Sequence, residues 1–423
     1  MTEQDKFNLH LTLFLSLGFF INILCWTFYY AQVSITLFQY LGSYGLVGFW
    51  IAIFNIIPII VIPIISSVSD KTRTRFGRRM PYLMVGIPLS ALFFILISTI
   101  NPSSDPLWLL LLYMFIFTFF MSCFRSQSIA LMPDFIKPVN RSKGYAVFNF
   151  MASIGSILAF IISFFLVPIS LALGFLIIAL IMVMCLILML LKINENDSYG
   201  YQLIIEMEKK KDNNNDGPFQ SLIENIRYIL KSKDKSAIAL LLAIFLYSAG
   251  YYGLRSLFSV YATDVLKLER SLAGTLLIFL SLSFLLMTIP SGIIGTKIGR
   301  KLTIKIGLIE FFFGMILCHL FQTPLMIIIG LIIAGVGFSF IVIHVVVILW
   351  ELLPSSKNTG TSTGLYFLAI FIGAILGPTI VGFIIDFLGT DIFFLIISLF
   401  FIAALVSMFF VKGGEARDVV KRD

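Results

Sequence analysis

The chain has 423 residues, 59% hydrophobic and only 12% charged, with a mean hydropathy of +1.02 and a formal charge of +8. A soluble domain is about 45–50% apolar and about 25% charged, so a soluble enzyme or binding module is excluded. The positive charge sits in short clusters between apolar runs, which marks membrane topology and excludes a nucleic-acid partner.

About 20 residues cross the roughly 30 Å of hydrocarbon in a bilayer. Twelve spans are predicted, near 11–39, 45–69, 81–100, 107–131, 144–167 and 170–191, then 237–262, 271–295, 302–321, 324–352, 360–387 and 391–411. The predicted class is an all-α integral membrane protein. Its expected parts are an N-terminal six-helix bundle (1–191), a connector (192–236), a C-terminal six-helix bundle (237–411) and a tail (412–423). Glu3 and Asp5 precede the first span, which is too long for a signal peptide and is read as retained. With the amino terminus inside, 26 of 30 Lys and Arg residues fall in cytoplasmic segments and only Lys267 and Arg270 fall outside. Both termini are therefore expected in the cytoplasm, and the protein in the cell membrane.

The densest basic segment follows span two: Lys71, Arg73, Arg75, Arg78 and Arg79, with Asp70 before them. The connector is low in complexity near 206–218, and apolar residues at helical spacing follow it near 219–231, as in an amphipathic surface helix. The halves on either side repeat each other. Gly77-Arg78-Arg79 returns as Gly299-Arg300-Lys301, 222 positions later. A Pro138-to-Gly144 loop returns as Pro354-to-Gly360, and an acid precedes each, Asp134 and Glu351. Two loops repeating at nearly one period indicate a duplicated six-helix unit.

Ionisable residues inside a bilayer are costly and are functional candidates by default. They are Arg125 in span four, Arg255 in span seven, Glu310 in span nine and His344 in span ten. An arginine fork suits carboxylates, phosphates or vicinal hydroxyls, so the pair favours an anionic or hydroxyl-rich solute. Span one places Asn22, Trp26, Tyr29 and Tyr30 on one stripe, with Gln32 beyond; Tyr247, Tyr251 and Tyr252 follow the same logic in span seven. Aromatic faces with amides suit sugar rings, and equally an ordinary helix seam. Glu310 is a candidate proton carrier or a partner of Lys305, and His344 a candidate proton coupler or a hydrogen-bonded core residue. Cys25, Cys123, Cys185 and Cys318 lie inside apolar runs without CxxC spacing, so no disulfide, metal or other cofactor is expected. No nucleotide loop or nucleophile–base spacing points to an enzyme.

Twelve spans as six plus six, with the repeated Gly-Arg-Arg/Lys loops, resemble the major facilitator superfamily over essentially the whole chain. The run from Pro63 through Asp70 to Gly77-Arg78-Arg79-Met80-Pro81 resembles the matching loop of sucrose–proton symporters and the wider glycoside–pentoside–hexuronide:cation symporters. It departs from them in having no acid at Pro58 to Ile62, none in span four as predicted, and Thr296 where the second loop's motif has Asp. The resemblance implies alternating access, with spans one, four, seven and ten lining a cavity that Arg125, Arg255 and His344 face. It also implies a conformational latch of Asp70, Arg73, Gly77, Arg78, Asp134, Lys297, Arg300 and Glu351. Asp70 would meet the start of span eleven near Gly360–Thr363, because a helix amino terminus favours a carboxylate. Arg73 or Arg78 would pair with Asp134, and Lys297 or Arg300 with Glu351. The function expected is monomeric, proton-coupled uptake of a small sugar-like or anionic solute, with sodium as the alternative ion. The alternatives are export of amphipathic compounds, for which 44 phenylalanines suit the interior, and a non-transporting sensor or lipid-handling protein.

Overall fold

The computed structural model describes residues 7–136, 140–202, 234–352 and 359–414. The predicted surface helix near 219–231, the Pro354-to-Gly360 loop and the expected side-chain partners of Asp70 at 360–363 lie outside the described side chains. Among the described residues twelve helices are long and apolar enough to cross a membrane. They are α1 Leu9–Leu41, α2 Tyr44–Lys71, α3 Met80–Ser98, α4 Leu107–Phe135, α5 Arg141–Leu166 and α6 Leu171–Lys192. The second series is α7 Ser236–Asp264, α8 Arg270–Ile298, α9 Arg300–Phe321, α10 Pro324–Leu352, α11 Thr359–Leu388 and α12 Phe393–Phe409. Within α8 the first turn, Arg270–Ala273, is separated by a break from Ile278–Ile298.

Local chemistry sets the ends. Proline stands at the start of α3 (Pro81), α4 (Pro106) and α10 (Pro324), where its missing N–H costs nothing. Gly299 (φ +98°) and Gly389 (φ +103°) stop α8 and α11 in backbone conformations that favour glycine. α4 runs past its predicted end through Pro133 to Phe135, so Asp134 belongs to its last turn rather than to a loop.

The helices form two compact units, and these are not the plain halves of the sequence. Unit 1 holds residues 1–40, 53–213 and 270–275; unit 2 holds 41–52, 214–269 and 276–423. The expected division into 1–191 and 237–411 therefore needs one correction. The first turns of α2 belong to the second unit, and the first turn of α8 belongs to the first.

Each unit has an aromatic core. In unit 1, Phe94 lies 4.5 Å from Phe175 and 5.2 Å from Phe117, and Phe28 lies 5.1 Å from Phe175, ring centre to ring centre. In unit 2, Phe311 stacks on Phe401 at 3.6 Å. α9 and α10 meet through glycine: Gly307 faces Gly337 and Gly314 faces Gly330, a seven-residue step on each strand of an antiparallel pair. Bare backbone lets the helices approach closely, which is how apolar helices associate where lipid is as apolar as they are. A Cβ at Gly337 would strike the Gly307 carbonyl, whereas Gly292 has open space around it. Gly337→Val should therefore lower stability by about 1–3 kcal/mol. Gly292→Ala should leave the melting temperature in detergent unchanged.

Candidate functional site: the basic loops and the polar stripes of α1 and α7

The loop after α2 is a built structure. Thr74 donates its hydroxyl to the Gly77 carbonyl (2.7 Å), and Ser69 donates to the Arg78 carbonyl (3.1 Å). Gly77 has φ +98°, the same value as Gly299 in the repeated loop. This turn presents two buried arginines. Arg78 binds Asp134 of α4 at 2.8 Å and Asp70 at 3.2 Å. Arg79 binds Asp134 at 2.5 Å, Asp70 at 3.4 Å and the Gln127 side-chain oxygen at 3.1 Å. Asp134 thus takes both guanidinium groups, while Asp70, 55% exposed, takes their outer edges.

Glu195, just past α6, completes the cluster and is fully buried. Its carboxylate accepts the backbone N–H groups of Arg79 and Met80 at 2.8–3.0 Å, and so caps α3 at the turn before Pro81. Burial pushes its carboxyl above the ordinary 4.5, and the backbone donors pull against that rise. Gly77 must be bare here, because a Cβ would run into Glu195.

The expected pairings resolve as follows. Arg78 and Arg79 reach Asp134; Arg73 instead donates to the carbonyls of Asp70 and Thr72, with its guanidinium 5.9 Å from the Tyr201 ring centre. In unit 2 Arg300 takes Glu351, and Lys301 donates to the Lys412 carbonyl. Lys297 is exposed. Glu195 was not singled out from sequence, and Arg79 was read only as part of the basic run. The signal available was that Glu195 follows span six as Asp70 and Asp134 close spans two and four, an acid at the same end of α2, α4 and α6.

Inside the helices, α1 carries the polar stripe. Tyr30 donates to the Asn55 side-chain oxygen of α2 at 3.0 Å. Trp26 stacks on Tyr30 at 5.6 Å and meets Tyr29 edge-on at 5.2 Å, and Tyr29 stacks on Phe117 of α4 at 5.4 Å. Four buried side chains here have no partner: both amide atoms of Asn22, the indole N–H of Trp26, and the hydroxyls of Tyr29 and Thr118. Contacts of Gly18 with Ser128 and of Tyr29 with Phe117 fix the antiparallel register of α1 and α4. That register sets Asn22 opposite Phe124, one residue from the half-buried Arg125.

The same aromatic arrangement returns in unit 2. Tyr251 and Tyr252 lie 222 positions after Tyr29 and Tyr30, and Phe338 lies 221 after Phe117. Tyr251 stacks on Phe338 at 4.2 Å and meets Tyr252 edge-on at 5.5 Å; the Tyr29–Tyr30 pair is also edge-on, at 5.7 Å. Arg255, half-buried, lies against the Tyr251 hydroxyl, one turn along α7.

Two residues stand apart from these stripes. His344 was expected to face a cavity with the arginines. Its ring instead fills the seam between α10 and α8, over Gly295, with Nε2 3.0 Å from the Ser291 carbonyl and 3.3 Å from its hydroxyl. Glu310 lies against Gly337 with one carboxyl oxygen buried and unpartnered. Lys305 is not its partner: five residues along a helix is about 140° around it, and the ammonium sits 4.3 Å from the Phe409 ring centre. Among the described residues no three His, Cys, Asp or Glu side chains converge as metal ligands.

The family model described as the Major Facilitator Superfamily matches residues 15–278 and 240–422. The chain belongs to the major facilitator superfamily. It is accordingly a multi-pass membrane transporter of small solutes, not an enzyme. No curated protein matches it. Among solved structures it is similar to a bacterial homologue of the human lysosomal transporter Spinster, in an inward-facing and occupied conformation, at 14% identity and TM-score 0.72, covering 97% of each chain. A nucleoside transporter, NupG, in variant form, is similar at 14% identity and TM-score 0.74, over 95% of this chain and 100% of that one. A peptide transporter, POT, in complex with sulfate, is similar at 15% identity and TM-score 0.67, over 94% and 93%. At these identities the likeness establishes the fold.

Two measurements check the cluster. Asp134→Ala leaves two buried guanidinium groups without their main carboxylate and should cost about 3–5 kcal/mol, read as a large fall in melting temperature. Asp134→Asn should lie between it and the parent. For Glu195, the folded carboxyl holds its proton more tightly than the unfolded chain does. Folding is thus penalised by the charged form, and stability should fall as pH rises from about 4.5 through the raised value. In Glu195→Gln that part of the pH dependence should disappear from a melting series between pH 4 and 8.

Proposed function

We propose that this transporter imports a sugar or a related polyhydroxylated or anionic solute together with protons, across the cell membrane and with both termini in the cytoplasm. The observation that carries the reading is the unpartnered set on α1 and α4. Asn22, Trp26, Tyr29 and Thr118 hold donors and acceptors away from water with nothing bonded to them. A buried polar group left unpaired costs about 1–3 kcal/mol, so such a set is stable in function only if a ligand or water completes it. Its setting among aromatic faces suits a ring with a polar rim and an apolar face. Arg125 on α4 and Arg255 on α7 each carry a guanidinium fork, which suits a hydroxyl-rich or anionic solute better than a cation.

Further support comes from the loop between Pro63 and Pro81, whose pattern resembles that of sugar–cation symporters. Proton coupling rests on Glu310, the one acid well inside an apolar helix, with an unpartnered carboxyl oxygen. His344, held by Ser291, is the second candidate, and sodium is the alternative ion.

Reconstituted protein should accumulate one member of a panel of labelled sugars, sugar acids and nucleosides when an inward proton gradient is imposed. Arg125→Ala should reduce uptake at least tenfold, and Asn22→Ala should raise KM about tenfold, the loss of one buried hydrogen-bonded contact. Absence of accumulation across the panel, with and without the gradient, would overturn sugar import and turn the search to export of amphipathic compounds.

A further inference from the structure

Lys305 belongs neither to the polar stripes nor to the pairs of the basic loops. It lies five residues, about 7.5 Å, inside α9. Helical side chains lean toward the helix start, and its ammonium sits 4.3 Å from the ring centre of Phe409, the last residue of α12. The charge is thereby carried back to the level of the helix ends. Among the described residues it makes no ion pair. The aromatic face attracts the cation but offers no oxygen to its three N–H donors.

The repeat gives this charge no counterpart. Subtracting 222 from 305 gives Leu83, which is fully buried. Arg79, the equivalent of Lys301, binds Asp134 and Gln127. Lys301 instead donates to the Lys412 carbonyl at 2.6 Å, and the Lys412 N–H donates to the Ser236 hydroxyl at 2.9 Å. Gly414 (φ +90°) lies against Ile348 of α10, so the segment after α12 is fixed at several points. Lys301 and Lys305 are one turn apart on one face of α9. Lysines 301, 305 and 412 are thus gathered beside the Gly299-Arg300-Lys301 loop, with Lys412 exposed. Among the described residues neither Lys305 nor Lys412 meets a carboxylate. Like charges held together repel, and an anion among them relieves that repulsion.

The surroundings select the anion. Leu302 on α9 and Val406 and Phe409 on α12 are exposed, and on a membrane-spanning bundle such a surface faces acyl chains. A soluble phosphate would sit beside hydrocarbon-facing side chains, whereas a phospholipid brings chains to cover them. We propose that this cluster binds the headgroup of an anionic phospholipid, with Lys305 and Lys412 on its phosphate and its chains along Leu302, Val406 and Phe409. Lysine binds phosphate as a point charge, and basic pockets between spans at a membrane surface take anionic headgroups. The site depends on the membrane fold alone and stands or falls apart from the sugar and proton readings.

Native mass spectrometry of the full-length protein in detergent tests it, with phosphatidylglycerol and phosphatidylcholine as probes. The first phosphatidylglycerol should bind about tenfold more tightly than phosphatidylcholine. Lys305→Gln and Lys412→Gln should each weaken it about fivefold, the share of one lysine near a membrane surface. Lys305→Arg, which keeps the charge, should stay near the parent. Lys192→Gln, at an exposed lysine ending α6, should leave it unchanged. If Lys305→Gln does not fold, Lys412→Gln decides the matter, because that side chain is exposed. Equal affinity for the two lipids would overturn the proposal. So would an equal fall in Lys192→Gln, because that is diffuse attraction to a basic surface rather than a site. Displacement of the lipid by millimolar inorganic phosphate would overturn it in favour of a free anion.

Discussion

The first turn of a helix leaves backbone N–H groups with no partner inside the helix, and each must find an acceptor elsewhere. Two carboxylates meet that demand here, each from a distant part of the chain. Glu195 caps α3, and Asp386 caps α2. Much of the polar architecture follows from these two caps. Glu195 requires a bare Gly77, and the turn at Gly77 aims Arg78 and Arg79 at Asp134. Asp386 draws the start of α2 out of the unit that holds the rest of that helix.

The few charges of this chain therefore do different work by position. At the basic-loop end they are concentrated and paired: two arginines, three acids and a glutamine in one buried cluster in unit 1, and Arg300 with Glu351 in unit 2. At the other end of the helices they are sparse: Asp386 takes N–H and hydroxyl donors, Arg270 binds oxygens, and Lys267 makes an exposed pair with Asp264 at 3.9 Å. Between the ends, Asn22, Trp26 and Tyr29 of α1 and Thr118 of α4 keep polar atoms uncommitted. A protein that must hold a fold and still accept a solute needs this separation, since a donor already bonded to its neighbour has nothing to offer a ligand.

Duplication shows at three levels. The loops repeat with glycine at the same φ, the Tyr-Tyr-Phe arrangement repeats at offsets of 222 and 221, and the exchanged first turns overlap in the repeat. What does not repeat is the polar decoration. Asn22, Trp26 and Arg125 have Ile244, Ser248 and Val346 at the equivalent positions, and Arg255 corresponds to Val33.

By itself the sequence determined the membrane class, the twelve spans, the duplicated plan and the family, because these depend on hydropathy over about 20 residues and on short motifs, both local quantities. It also offered Arg73 or Arg78 to Asp134 and Lys297 or Arg300 to Glu351, and the structure selects Arg78 and Arg300. Only tertiary structure decided which polar residues are already used. His344 reads equally as a proton coupler or a hydrogen-bonded core residue until Ser291 and Gly295 are seen beneath it; Gln32 reads as one more polar residue beyond the α1 stripe until Arg270 arrives from 238 residues away. Glu195 and Asp386 carry no local mark of their role, 115 and 342 residues from the N–H groups of Met80 and Tyr44 that they accept. A hydrogen bond depends on distance in space, and a periodicity read along the chain reports only which face of its own helix a residue occupies.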